Sequence, residues 1–294
     1  MLNLGIPECY AYVRDAMDAL LTAHPISYIK WDHNRDLSDA GTSPEGRPGV
    51  HAQTLAAYRL MAELKQRHPG LEIESCSSGG SRVDLGVAEY TDRVWVSDNI
   101  DPLDRQQMLR WTTQLLPPEL LGSHIASGRS HVTGRSHDLS FRAATALFGH
   151  LGIEWDLRAA SAEERAELAE WIAFYRAQRS WLLRGDLVRV DVPDPSVILG
   201  GIVAADRSRA LFSYAVVATP TVTLGSRIRM PGLDAERRYR VVPFGAGSSL
   251  WSFAAPPWWG EGVVGSGAML AAIGVEAPVM PPEHAALLLV EAVE

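Results

Sequence analysis

The chain has 294 residues, 47% of them hydrophobic and 21% charged, enough to bury a sizeable core and too apolar for disorder. Its 27 basic and 35 acidic residues give a formal net charge of -8, so no cationic excess is available to neutralise phosphates, which argues against nucleic acid as a partner. Apolar runs such as Ala285 to Val290 are too short to span a bilayer, and no basic stretch followed by an apolar one opens the chain, so the expectation is a cytoplasmic protein with no membrane partner. Two cysteines without paired Cys and His at zinc-ligand spacing argue against a disulfide framework and against a structural metal.

From Ile6 to His24 the apolar residues Tyr10, Val13, Met17, Leu20 and Leu21 recur every three or four positions, which predicts a helix that Pro25 ends. Ile26 to Trp31 has the composition of a buried strand, and a charged loop follows. A second helix is expected from His51 to His68, closed by Pro69-Gly70, and a strand from Leu71 to Cys76. The alternation continues with a short helix near Arg82 to Glu89, a strand over Arg93 to Ser97 and a helix over Pro102 to Leu115. Weaker strands are expected at Leu120 to Ile125 and His150 to Ile153, before a helix opened by Ser161 with Glu163 and Glu164 in its first turn. Strands alternating with helices at this spacing imply βαβ units and a parallel sheet.

After Arg184-Gly185-Asp186 the pattern changes to short β-rich runs: Leu187 to Val192, Val197 to Val203, Ala210 to Val217, Thr221 to Leu224, Tyr239 to Val242 and Ala286 to Val290. This predicts an antiparallel, sandwich-like β domain over 187–294 behind an α/β domain over 1–186.

The candidate chemistry lies at strand ends. In Tyr28-Ile29-Lys30-Trp31-Asp32 the period of two places Tyr28, Lys30 and Asp32 on one face and Ile29 and Trp31 on the other. Alone, a Lys-x-Asp of this kind reads as an ion pair at a strand terminus. The second strand, however, runs into the small-residue loop Ser77-Ser78-Gly79-Gly80-Ser81-Arg82, and the third ends in Asp98-Asn99-Ile100-Asp101. The loop lacks the G-x-x-x-x-G-K-[ST] spacing of a phosphate cradle. Polar groups at the C-terminal ends of successive parallel strands are the site geometry of a (β/α)8 barrel. Two carboxylates with a lysine beside one of them suit glycoside hydrolysis, in which one attacks the sugar carbon and the other protonates the leaving oxygen. Lys30 is expected to hold Asp32 ionised, and burial to keep Asp98 protonated.

The runs Tyr-Ile-Lys-Trp-Asp-His-Asn-Arg-Asp at 28–36, Cys-Ser-Ser-Gly-Gly-Ser-Arg at 76–82 and Trp-Val-Ser-Asp-Asn at 95–99 closely resemble the retaining α-galactosidases of glycoside hydrolase family 36. Further likeness runs through His131 to Arg135, Leu147 to Gly152, Ile172 to Tyr175 and Pro231 to Leu233, so it covers essentially the whole chain. The resemblance implies that Asp32 is the nucleophile, that Asp98 is the acid/base, and that Lys30, Cys76 and the Gly79 loop contact galactose hydroxyls. It implies α-galactoside oligosaccharides of the melibiose and raffinose type as substrates, no cofactor, no metal and a homo-oligomer for the full-length protein. The family usually has Met at the position of His33 and Gly at that of Ser81.

Only about five of the eight strands of a (β/α)8 barrel can be counted before the β runs begin. The expected fold is therefore α/β, a partial TIM barrel followed by an antiparallel domain, in a chain that starts inside the family's barrel and is inactive and poorly soluble by itself. Alternative readings are a non-catalytic remnant or sugar-binding fragment, and a family relative acting as an α-N-acetylgalactosaminidase or a galactosyl transferase; Cys76 in the sugar-contacting loop favours plain galactose.

For the remaining conspicuous residues the plainer uses are expected. Trp31 and Trp95 are assigned to packing on the strand face away from the carboxylates. Trp258-Trp259 is read as a packed loop, His124, His131 and His137 as hydrogen-bonding loop residues, and Cys9 as helix packing. Asp84, Asp92, Asp101 and Asp104 compete with Asp98 for the acid role.

Overall fold

The computed structural model describes residues 2–38, 40–43, 45–221, 226–244 and 255–293. The chain forms two compact units, Met1–Asp98 and Asn99–Glu294.

In the first unit α1 (Pro7–Ala23) leads to β1 (Tyr28–Asp32), the short hairpin β2 (Gly41–Thr42) and β3 (Arg47–Pro48), and α2 (Val50–Arg67). Then come β4 (Glu72–Cys76), the single turn α3 (Leu85–Ala88) and β5 (Arg93–Trp95). Pro7 opens α1, where a missing N–H costs nothing, and the chain turns extended at His24, before Pro25. The apolar stripe of α1 meets Leu60, Met61 and Leu64 of α2, all fully buried, and together they cover Ile73 of β4. Strands β1, β4 and β5 run parallel, with Asp32 level with Cys76. Ile29 and Trp31 turn toward the helical layer, while Tyr28, Lys30 and Asp32 stay exposed. The alternation read from the sequence therefore holds on β1, with packing on one face and the candidate chemistry on the other.

The second unit opens with α4 (Pro102–Thr112), a 3₁₀ turn over Pro118–Leu120, β6 (Leu121–Ala126), α5 (Leu139–Ala146), β7 (His150–Glu154) and α6 (Ala162–Leu182). Strands β6 and β7 are parallel, so the chain carries five parallel strands, three in one unit and two in the other. Ser161 and Glu164 form a reciprocal capping box at the start of α6. Helix α5 was not foreseen. Every one of its residues is buried, Ser140, Arg142 and Thr145 included, and its eight residues make little more than two turns, too few for a 3.6-residue pattern to repeat.

Next come β8 (Asp186–Val190), β9 (Val197–Val203), β10 (Arg209–Val216), β11 (Arg227–Ile228), β12 (Arg238–Phe244), β13 (Val263–Ser266), α7 (Gly267–Ala272), β14 (Val275–Glu276) and β15 (His284–Val293). They build a six-stranded antiparallel sheet in the order β13-β12-β15-β10-β9-β8, with β11 and β14 forming a separate pair. The expected strand Thr221 to Leu224 lies, beyond Thr221, outside the described residues.

Both faces of the large sheet are covered. Phe212, Tyr214 and Leu288 enter one apolar cluster with Tyr239, Met230 and Trp259, while Leu211, Ala215 and Leu287 pack on Phe141, Leu168 and Trp171 of α5 and α6. That double burial explains why β10 and β15 read as unbroken apolar runs. It also explains why the compact units divide at Asp98, although the change from helices to strands falls at 186: the sheet shares its second core with α5 and α6. Among the described residues, no helix is long and apolar enough to cross a membrane.

Candidate active site

The five residues singled out in the sequence all lie in the first unit, and a short chain of contacts joins them. Asp32 ends β1. Its Oδ2 accepts a hydrogen bond from Asn34 Nδ2 at 2.9 Å, and the Cys76 thiol, level with it on β4, donates to the same carboxylate. Burial pushes the Asp32 pKa up, but the bonds from Asn34 and Cys76 and then the Lys30 charge outweigh it, leaving the carboxyl below its ordinary value. The Lys30 charge acts on Asp32 in the direction expected from the sequence, but the hydrogen bonds contribute more than the ammonium. Lys30 places its Nζ 4.5 Å from the centroid of the Trp95 ring, a cation–π contact.

Trp95 Nε1 in turn donates to Asp98 Oδ1 at 3.0 Å. Two expectations fail at this residue pair. Trp95 does not point away from Asp98, because β5 ends at Trp95, and in the loop beyond it the period of two no longer sets direction. Asp98 is exposed in this chain, so the burial expected of it is absent.

Gly79 brings the β4 loop against the β5 loop. Its φ is +77°, and a Cβ there would lie 2.6 Å from Ser97 Cα and 2.9 Å from Asp98 N. Glycine is therefore required twice, for the left-handed backbone and for the close approach. Gly79→Ala is expected to destabilise the first unit by about 1–3 kcal/mol and to displace Asp98, read as a lower midpoint of chemical unfolding.

Cys76 is buried, and its thiol is pushed up to about 11, first by burial and then by its bond to Asp32, against a lowering contact from the Gly79 backbone. The residues 33–34 and 77–78 are tied together. Ser77 Oγ donates to the His33 carbonyl, Ser78 N donates to Asn34 Oδ1 at 2.6 Å, and His33 N donates to the Cys76 carbonyl at 3.1 Å. Asn34, Trp95 and Arg82 were missed as contributors. Asn34 sits two positions after Asp32, a spacing from which a short amide can reach back to a carboxylate, and that signal was available in the sequence.

The rival carboxylates have structural employment. Asp84 caps α3 and binds Tyr58 Oη, and Asp92 pairs with Lys65 at 2.8 Å while accepting from Ile73 N. Asp101 is fully buried, caps α4 and accepts from Arg135 Nε at 2.7 Å; Asp104 pairs with the same guanidinium. His124 lies on β6 rather than in a loop and contacts Glu154 at 3.0 Å. Trp259 is buried edge-on against Trp258, whose Nε1 donates to the Glu276 carbonyl, so this pair packs as expected. Cys9 packs beside the α1 and α2 core.

The melibiase family profile matches residues 1–185, and that of the glycosyl hydrolase family 36 C-terminal domain matches residues 199–287. An alpha-galactosidase of Escherichia coli is 42% identical over 99% of this chain and 42% of its own length, and alpha-galactosidase C of Emericella nidulans is 36% identical over 82% of this chain and 32% of its own. The solved structure of a single-substitution variant of the alpha-galactosidase AgaA of Geobacillus stearothermophilus with 1-deoxygalactonojirimycin superposes with a TM-score of 0.88 at 29% identity, covering 99% of this chain and 39% of that one. A variant of the same enzyme has been solved with raffinose. The chain spans about a third to two-fifths of the length of these relatives. Its five parallel strands and antiparallel sheet match part of the barrel and the C-terminal β domain of these structures. The chain belongs to the melibiase family, glycoside hydrolase family 36.

Proposed function

We propose that the polypeptide carrying this chain is a retaining α-galactosidase that releases terminal α-linked galactose from oligosaccharides by double displacement. Asp32 attacks the anomeric carbon, and Asp98 protonates the departing oxygen and then activates water. Lys30, Cys76 and the Gly79 loop contact the sugar hydroxyls. The observation that carries this reading is the state of Asp32. Its carboxylate ends β1 level with Cys76 and accepts hydrogen bonds from Asn34 Nδ2 at 2.9 Å and from the Cys76 thiol, which hold it ionised and oriented at the strand end, as a nucleophile requires. Melibiose- and raffinose-type galactosides are the proposed substrates, in keeping with the raffinose complex of AgaA. The catalytic part is assigned to 1–186 and the β domain to 187–294. Two free thiols, Cys9 and Cys76, suit a reducing, cytoplasmic setting.

The test is a fusion in which the part of the Escherichia coli relative that precedes the matched region is joined to this chain. It is expected to hydrolyse an aryl α-galactoside and to release the α-anomer first, followed by NMR. A folded fusion without hydrolysis, or one releasing the β-anomer first, overturns the reading. The 294-residue chain by itself exposes Lys30, Asp32 and Asp98 to solvent, so its substrate is poorly held. Its turnover is expected to be lower than that of the fusion by at least about 10²-fold.

A further inference from the structure

Arg82 closes the loop after β4, and its side chain folds back beneath the candidate site. Its Nη2 donates to the Trp31 carbonyl at 2.7 Å and to the Cys76 carbonyl at 2.8 Å, and its Nε donates to Ser75 Oγ at 3.2 Å. These carbonyls sit at the C-terminal ends of β1 and β4, one residue before Asp32 and at Cys76 itself. The Cys76 carbonyl already accepts from His33 N at the end of the β1–β4 pairing, and the planar guanidinium of Arg82 adds a second donor there while also binding the Trp31 carbonyl, so it bridges the two strand ends beside the last inter-strand bond.

The arrangement is costly. Burial lowers the Arg82 pKa, opposed only through space by Cys76, Asp32, Tyr58 and Asp84, and a cation drawn out of water onto carbonyls loses hydration that it does not fully regain. What it obtains is a set spacing between two strand ends whose side chains, the Asp32 carboxylate and the Cys76 thiol, hydrogen-bond to each other.

Resting on the reading of Asp32 as the nucleophile, we propose that Arg82 is a positioning residue: by clamping the Trp31 and Cys76 carbonyls it holds the Asp32 carboxylate and the Cys76 thiol in register for the sugar. Lysine keeps the charge but lacks the planar fork, so Arg82→Lys isolates the clamp from the field.

The Cys76 thiol reports on the clamp without any sugar chemistry. In a Cys9→Ser chain the rate of alkylation by iodoacetamide is followed from pH 7 to 12. With Arg82 present, the inflection is expected near about 11, where burial and Asp32 hold it. In Arg82→Lys both causes weaken, so the inflection is expected to fall by about one unit or more toward the ordinary thiol range, and the rate at pH 8 to rise at least about tenfold. Ser75→Ala, which removes the seat of Nε and leaves the cation, is expected to move the inflection the same way by less. An unchanged inflection in Arg82→Lys overturns the proposal. So does a variant whose Cys76 reacts as fast as in the urea-unfolded chain, since Arg82 then serves only the stability of the unit. In the fusion enzyme, Arg82→Lys is expected to lower kcat at least about 30-fold with KM changed less than threefold; a raised KM with kcat unchanged overturns positioning. A fusion that hydrolyses no galactoside defeats the functional reading alone, and the thiol titration still judges the clamp.

Discussion

Asp32→Ala in the fusion enzyme is expected to lower kcat for an aryl α-galactoside by at least about 10⁴-fold, roughly 5.5 kcal/mol of barrier. Without the carboxylate the covalent galactosyl intermediate cannot form, so the loss falls on the first chemical step and persists with good leaving groups. The substitution leaves the fold intact: Asp32 is exposed at a strand end and gives up hydrogen bonds from Asn34 and Cys76. Its folded-state pKa is lowered, so what it contributes to stability is complete above its unfolded value of about 3.9 and is lost as pH falls through the lower folded value. The difference in unfolding midpoint between parent and Asp32→Ala is therefore expected at neutral pH and should vanish in strong acid. Residual activity above about 1% of the parent, in a variant with a normal circular dichroism spectrum, contradicts the nucleophile assignment.

The second large effect belongs to Asp98. Asp98→Ala removes the group that protonates the leaving oxygen and later activates water, but a nitrophenolate leaves without protonation. The first step is therefore expected to survive in part while the second stalls, with turnover falling about 10²–10⁴-fold. Azide needs no general base. Attacking the galactosyl–Asp32 intermediate from the α face, it should restore turnover and yield α-galactosyl azide, identified by NMR. In Asp32→Ala azide can only displace the leaving group directly, which gives the β-azide. The control is Asp101→Ala, which removes a fully buried carboxylate that caps α4 and binds Arg135. It is expected to destabilise the second unit by about 3 kcal/mol and to show no azide rescue. Rescue in Asp101→Ala with near-normal Asp98→Ala reverses the assignment.

Much of the first unit was legible because its physics is local. The stripe of α1, the stop at Pro25 and the two-faced pattern of β1 each depend on near neighbours in the chain, and each stands where the spacing put it. The rival aspartates were narrowed to Asp98 by its motif, and the capping and pairing of Asp84, Asp92 and Asp101 give the reason. Helix α5 was lost because eight residues make little more than two turns, too few for a helical period to stand out. The ladder β13 was lost because Val263–Ser266 is short and rich in glycine context, and its stability comes from pairing with β12 about 25 residues earlier.

The sequence by itself singled out Lys30, Asp32, Cys76, Gly79 and Asp98 as the candidate site, through strand parity, loop composition and the family resemblance. It also determined the order of parallel and antiparallel parts, because hydrophobic period and turn residues act over a few positions. Only the tertiary structure decided what acts on those residues. That Asn34 and Cys76 outweigh Lys30 at Asp32, that Trp95 turns toward Asp98, and that Arg82 bridges β1 and β4 all depend on distances between segments far apart in the chain. Such distances are set by the packing of α1 and α2 on the sheet and by the close approach at Gly79, and electrostatic and hydrogen-bond energies change too steeply with distance to be read from residue order.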